Sequence, residues 1–429
     1  MINWKKALLV FKVPELRNKV LTVLGLLLVF RIAAVIPVPG IERESLQNLF
    51  SGNQLFGLLD IFSGGGLSNL SIVMQGVGPY ITASIVMQLL TMVVPRLEEM
   101  QKEEGEAGRR KINQYTRLLT VPLAGLQAFG FINLMQRGAL GTGGSITFSP
   151  WQLMVTLIAV TAGTVFLMWI GELITEQGIG NGISLIIFIG IISRLPQVIS
   201  QTVAAYTPDM LLTYVAFAVV SVIVIAGVVY ITEGQRLIPV SYAKRMRGNR
   251  MFGGSSTHLP LRVNQAGVIP IIFALSILLF PGVVANFLVG VNNEAVSRIA
   301  QRVADLFQDQ AFYGVSYFVL VVAFTYFYTS VTFDPNSIAE NIQKQGGFIP
   351  GIRPGRQTAN FLKYVVNRVT LTGAVFLGLI AVLPLMLQAV SGLSTLTIGG
   401  TALLIVVSVV LETMKQIESQ LTLREYGSF

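Results

Sequence analysis

The chain has 429 residues, 53% of them hydrophobic and only 12% charged, with a formal net charge of +9 and a mean hydropathy of +0.68. A soluble domain carries about 25% charged residues, so this composition belongs to an integral membrane protein with no room for a large soluble domain. With no cysteine and a single histidine, His258, it excludes disulfides, thiol nucleophiles and any multi-histidine metal centre.

The first 19 residues, MINWKKALLVFKVPELRNK, interleave basic and apolar side chains and suit an amphipathic segment on the membrane surface. Val20–Ile36 is the first predicted span. No small-residue cleavage site follows it and further apolar stretches do, so it reads as a retained span and not a signal peptide. The next apolar piece, Ile61 to Leu70, is interrupted by Gly64, Gly65 and Gly66. A spanning helix needs about 20 residues, so this piece is expected to be re-entrant, packed against protein or lining a water-filled cavity. Ile72 to Val94 is long enough to cross, has Gly76, Gly78 and Pro79 as a hinge near its start, and places Ile81 and Ile85 one turn apart on one face.

Later apolar stretches lie at 118–136, 152–170, 183–203, 211–232, 267–290, 312–333, 369–390 and 396–414, the third of them interrupted by Arg194 and Pro196. The total is ten predicted spans: five within 20–203, five within 204–415, and a tail at 416–429. Of the 30 Lys and Arg residues, 24 fall on one side of this map: through Lys19, in 96–117, 234–266 and 334–368, and in 415–429. The positive-inside rule makes that side cytoplasmic. An odd number of spans in each half gives the halves opposite orientation, an arrangement that encloses a site near the midplane.

Ion-coupled transporters carry ionisable residues within their spans. Here Glu172, Glu233 and Glu412 lie near cytoplasmic span ends and Arg31 and Arg194 near outer ends, which weighs against the main alternative, a secondary transporter with inverted repeats. No paired carboxylates or metal-binding motif stand within the spans, so an enzyme is the weakest class and no cofactor is implied. Between the fourth and fifth spans, IGELITEQGIGNGIS (170–184) has glycines at 178, 180 and 182 for a tight turn and Asn181 as a helix cap. The loop 234–266, around KRMRGNR, reads as a β-hairpin, and 334–368 reads as a turn-rich tip presenting Arg353 and Arg356.

GELITEQGIGNGIS resembles a signature of the SecY family, central subunits of the bacterial protein-conducting channel. SNLSI and GPYITASIVMQLL within 68–90, YAKR at 242–245, STHLPLRVNQAGVIP at 256–270, PGIRPG at 350–355 and GGTALLIVV at 399–407 are similar to other parts of that family, in order along the chain. Gln75 departs from the pattern, where an apolar residue is expected. The resemblance implies an all-α integral membrane protein: ten transmembrane helices in two inverted five-helix halves around a central pore, with a short re-entrant plug helix. It implies a plug of Ile61, Phe62, Ser63, Gly64, Gly65, Gly66, Leu67, Ser68, Asn69 and Leu70, and a pore ring of Ile81, Ile85, Ile187, Ile191, Ile272 and Ile405. It places a lateral gate between the second and third spans and the seventh and eighth, with Gln88, Thr91 and Asn264 as candidate polar groups across it. It implies docking by Arg245, Arg247, Arg250, Arg353 and Arg356. The expected partners are SecE and SecG in the membrane, the SecA motor and the ribosome on the cytoplasmic side, signal sequences and nascent chains as substrates, and the lipid bilayer.

Overall fold

The structure is a computed structural model that describes residues 13–38, 63–67, 69–141, 149–204, 208, 211–242, 245–247, 250–252, 256–288, 294–391 and 395–427. Most of the predicted N-terminal amphipathic segment, and Ile61, Phe62 and Ser68 of the predicted plug, lie outside these residues.

Each of the ten predicted apolar stretches coincides with a helix. They are α1 (Pro14–Ala33), α2 (Gly78–Val93), α4 (Gly105–Gly141), α5 (Pro150–Glu176), α6 (Gly182–Ala204), α7 (Leu211–Glu233), α8 (Ile269–Leu288), α10 (Gln310–Thr332), α12 (Arg356–Ser391) and α13 (Thr395–Gly427). Three further helices are described between them: α3 (Pro95–Lys102), α9 (Glu294–Gln308) and α11 (Pro335–Lys344). By length and composition four described helical segments, in α5, α7, α10 and α12, suffice to cross a membrane, and α2 with α3 makes a fifth if that bent pair is one span. The bend is 104°, placed by Pro95, which starts α3 and leaves Val94 extended. Expected as a span from Ile72, the second stretch becomes helical only at Gly78. Before it, the described residues between 63 and 77 form successive turns, with a bridge at Ser71.

The helices pack in two groups with the same internal pairing. In the first, α1 touches α5 and α6, α2 touches α4 and α5, and α5 touches α4 and α6. In the second, α7 touches α12 and α13, α8 touches α10 and α12, and α12 touches α10 and α13. Taking α1, α2, α4, α5, α6 in order onto α7, α8, α10, α12, α13 maps every pairing of one group onto a pairing of the other. The groups meet where α6 packs on α13 and where α2 and α4 pack on α8. One large buried apolar cluster runs through both.

The predicted hairpin in 234–266 is present and extended. β1 (Gln235–Tyr242) pairs antiparallel with β4 (Ser256–Arg262), in register Gln235 opposite Arg262 through Ser241 opposite Ser256. Between them β2 (Arg245–Arg247) pairs with β3 (Arg250–Phe252). The strand β5 (Gly347–Phe348), from the second basic loop, adds to the other edge of β1, so the sheet order is β4-β1-β5. Ile238 and Val240, two residues apart and so on one face of β1, are buried with Leu261, Ile342, Ile349 and Leu362. That small core seats the sheet on α11 and the start of α12.

Candidate functional site

The six predicted ring isoleucines come from four helices: Ile81 and Ile85 from α2, Ile187 and Ile191 from α6, Ile272 from α8 and Ile405 from α13. All belong to the large apolar cluster, and each is at most 5% exposed. These four helices belong to both groups and include pairs through which the groups touch, α2 on α8 and α6 on α13. The pairs 81/85 and 187/191 are each one helical turn apart, which stacks them on a single face of their helix.

The glycine-rich segment reaches this same place. On α6, Ile187, Gly190, Ile191 and Arg194 share a face at i, i+3, i+4 and i+7. A Cβ on Gly64 would lie 2.9 Å from the Gly190 Cα and 2.9 Å from the Phe30 ring, and Gly64 has φ +66. Both the close approach and the left-handed backbone therefore require glycine. Gly65, with φ +86, packs against the Arg194 guanidinium, its virtual Cβ 3.2 Å from Nε. A helix needs φ near −63°. Gly64 and Gly65 break that requirement, so the described part of the predicted plug helix is a run of turns.

Irregular backbone buried in this way needs partners for its polar groups. Arg31 Nη1 donates to the Gly64 carbonyl at 2.7 Å, Ser71 N to the Gly66 carbonyl at 2.8 Å, and Leu67 N to Ser63 Oγ at 3.0 Å. Ser63 through Leu67 are buried, and Leu67, Leu70 and Met74 form a second apolar cluster with Val38, Ala128 and Val160. Beyond them the hinge is pinned to the end of α1 by a bridge between Pro37 and Ser71. Gln75, the departure from the family pattern, is accommodated because its Oε1 faces Thr164 Oγ1 at 3.4 Å.

The turn between α5 and α6 is built as its glycines suggest. Asn181 Oδ1 accepts from Ile183 N at 3.0 Å and Ser184 N at 3.2 Å, capping α6. Gly178 has φ +71, and a Cβ on Gly182 would fall 1.8 Å from the Gly171 carbonyl oxygen, so both positions demand glycine. The extension of α13 fastens here, where Gln420 Nε2 donates to the Gly178 carbonyl at 2.5 Å, and also to the end of α7, where Lys415 pairs with Glu233 at 2.8 Å.

Of the three polar residues predicted at a gate, each makes local hydrogen bonds. Gln88 Nε2 donates to Ser84 Oγ at 3.3 Å, Thr91 Oγ1 to the Gln88 carbonyl at 2.7 Å, and Asn264 Nδ2 to the Gly267 carbonyl at 3.1 Å. Gln88 Oε1 and Asn264 Oδ1 are buried and accept no hydrogen bond among the described residues. Arg353 and Arg356 are exposed at the start of α12, and the Arg353 carbonyl accepts from Thr358 Oγ1 at 2.9 Å. The backbones of Arg245, Arg247 and Arg250 lie in the β2–β3 hairpin, Arg247 opposite Arg250. Sequence reading missed Arg31 and Arg194 as partners of the glycine segment. Their place near outer span ends, on the side where the predicted plug lies, was the available signal.

The family model of SecY matches residues 71–414. The protein translocase subunit SecY of Mycobacterium tuberculosis is 45% identical over 432 residues, 97% of each chain, and that of Streptomyces galbus is 46% identical over 431 residues, 98% of each. A solved SecY structure concerned with the plug domain and the closed channel aligns over 93% of this chain and 91% of its own, with TM-score 0.61 and 20% identity. Canine Sec61 in a ribosome–channel complex aligns over 92% and 90%, with TM-score 0.54 and 19% identity. The order of motifs along the chain, the helical architecture and nearly end-to-end similarity agree: the chain belongs to the SecY family.

Proposed function

We propose that the chain is the channel subunit through which unfolded secretory proteins cross the bacterial cytoplasmic membrane and from which membrane proteins enter the bilayer. It is a conduit and not an enzyme. The observation that carries the reading is that six isoleucines drawn from both of two identically paired helix groups are buried in one apolar cluster, with a glycine segment seated on Gly190 between Ile187 and Ile191. A constriction lined only by such side chains gates by dewetting, because an ion entering it sheds hydration at a large free-energy cost. A polypeptide can instead push the β-branched side chains aside and be encircled by them. No pairing with a particular substrate sequence is needed. The seal then has two layers, the isoleucine ring and the segment Ser63–Leu67 beneath it on the outer side.

In this reading ten helices span, the two five-helix groups are inverted, and both termini are cytoplasmic. The repeated pairing of the groups and the 24 of 30 basic residues on one side support it. Lateral exit runs between α2 and α4 on one side and α8 and α10 on the other, and the unfilled acceptors of Gln88 and Asn264 leave them free to pair across it. The sheet and the Arg353 tip face the cytoplasm and receive the ribosome or the SecA motor, while SecE and SecG complete the membrane complex.

The test is Ile405→Asn in reconstituted vesicles. Hydrating the constriction should raise resting ion conductance and let defective signal sequences pass. Parent-like behaviour in both assays removes Ile405 from the gate. Single cysteines at 105, 250 and 355 should label from the cytoplasmic side, and those at 140, 205 and 295 from outside.

A further inference from the structure

The helix α9, between α8 and α10, has two kinds of apolar surface. Ala300 and Ala304 are buried, and Phe307 stacks edge-on against Phe312 of α10 with ring centroids 5.5 Å apart. Ile299 and Leu306 instead stand outward, 66% and 50% exposed, although they are large aliphatic side chains. Seven residues apart, they lie on one line along the helix. Arg298 and Arg302 are exposed immediately beside that line and make no ion pair among the described residues, whereas the nearby Asp305 is engaged by Gln301 Nε2 at 3.3 Å. Around the helix the order is therefore protein-facing, outward apolar, cationic and then acidic.

We infer that α9 is an interfacial anchor whose Ile299–Leu306 edge dips into the outer leaflet while Arg298 and Arg302 bind phospholipid headgroup phosphates. The inference rests on the proposed topology, which puts α9 at the outer ends of α8 and α10. At that level an exposed aliphatic edge meets acyl chains and not water, and two unpaired guanidiniums one turn apart meet phosphate oxygens. A helix oriented the other way would immerse Asp305 and Glu294 instead. Held at this depth, α9 fixes the outer end of α8, the helix that carries Ile272.

The chain contains no cysteine, so single cysteines report cleanly. Ile299→Cys, Leu306→Cys and Gln301→Cys are labelled with an environment-sensitive fluorophore and reconstituted in phosphatidylcholine vesicles carrying shallow nitroxide lipids. Quenching at 299 and 306 should exceed that at 301 by about twofold or more, as for the immersed and solvated faces of an interfacial helix. Adding phosphatidylglycerol should deepen it, and Arg298→Gln with Arg302→Gln should remove that dependence. Equal quenching at the three positions overturns the inference, as does a phosphatidylglycerol response that survives loss of both arginines. Labelling of the same cysteines by an impermeant reagent from the side that labels 250 overturns the topology itself, which is a separate failure.

Discussion

Two connections occupy equivalent places in the repeated helix pairing, the one from α1 to α2 and the one from α7 to α8, and they fold in opposite ways. Of the first, the described residues between 63 and 77 carry no charge, turn on left-handed glycines and pack against α1 and α6. The second carries six basic residues between 234 and 266, alternates apolar and polar side chains, and stands out as a sheet. Composition separates the two stretches compared. A chain without charge can be buried without regular structure provided each carbonyl finds a donor, as Gly64 finds Arg31. A basic, alternating chain buries one face only and keeps the other in water.

That contrast can be broken at its most constrained point first. Gly64→Val adds side-chain atoms where Gly190 and Phe30 already sit and forces a β-branched residue to φ +66. The two penalties together are about 3 kcal/mol or more. The segment should unseat, and vesicles holding the variant should leak ions at rest; a tight variant would separate the segment from the seal. Arg31→Met removes the donor to the Gly64 carbonyl and keeps much of the bulk. A lost charge-assisted bond of about 1.5–3 kcal/mol predicts a smaller but measurable leak. If conductance matched the parent, another group would have to hold that carbonyl.

On the outward connection, Gly347→Val places a side chain 2.9 Å from the Tyr242 ring and 3.0 Å from Ile342. Overpacking of about 1–3 kcal/mol should detach β5 from β1 and expose 345–350 to limited proteolysis, with no change in resting conductance. A leak from this variant would show that the sheet and the seal are coupled. The smallest structural effect is expected from Arg353→Glu, an exposed change that should leave both stability and conductance alone. It should instead abolish motor-driven translocation, and Arg353→Lys should impair it, because a planar guanidinium fork binds carboxylate or phosphate in a way that lysine cannot. Equal and mild effects of charge reversal at 353 and 356 would remove Arg353 from the docking surface.

The helices were legible because a membrane-length apolar run is the strongest signal a sequence carries, and the hairpin in 234–266 because its strands alternate. The two-residue strand β5 was not legible. It has no period of its own and is defined by Tyr242, more than a hundred positions away. The helix α9 is not legible as a span because its amphipathic pattern is too polar for one. The bend at Pro95 and the late start of α2 at Gly78 came from proline and glycine within an otherwise continuous apolar run. At the site, the six isoleucines were readable only through family resemblance, since isoleucine is common in any span. The hydrogen bonds of Gln88, Thr91 and Asn264 proved local, because a neighbouring backbone or side chain competes well with a partner on another helix.

The clasp on the α5–α6 turn has a consequence for biosynthesis. Leu421 of α13 is buried against Leu16 of α1, while Gln420 and Lys415 reach Gly178 and Glu233. A ribosome delivers α1, the α5–α6 turn and the end of α7 long before it delivers their shared partner. Until then Leu16 lacks its cover and the Gly178 carbonyl its donor. Contacts so distant in sequence form late, after most helices are already in the bilayer. The nascent protein therefore passes through a stage in which this clasp is not yet closed, and in that interval it is most open to quality-control proteases.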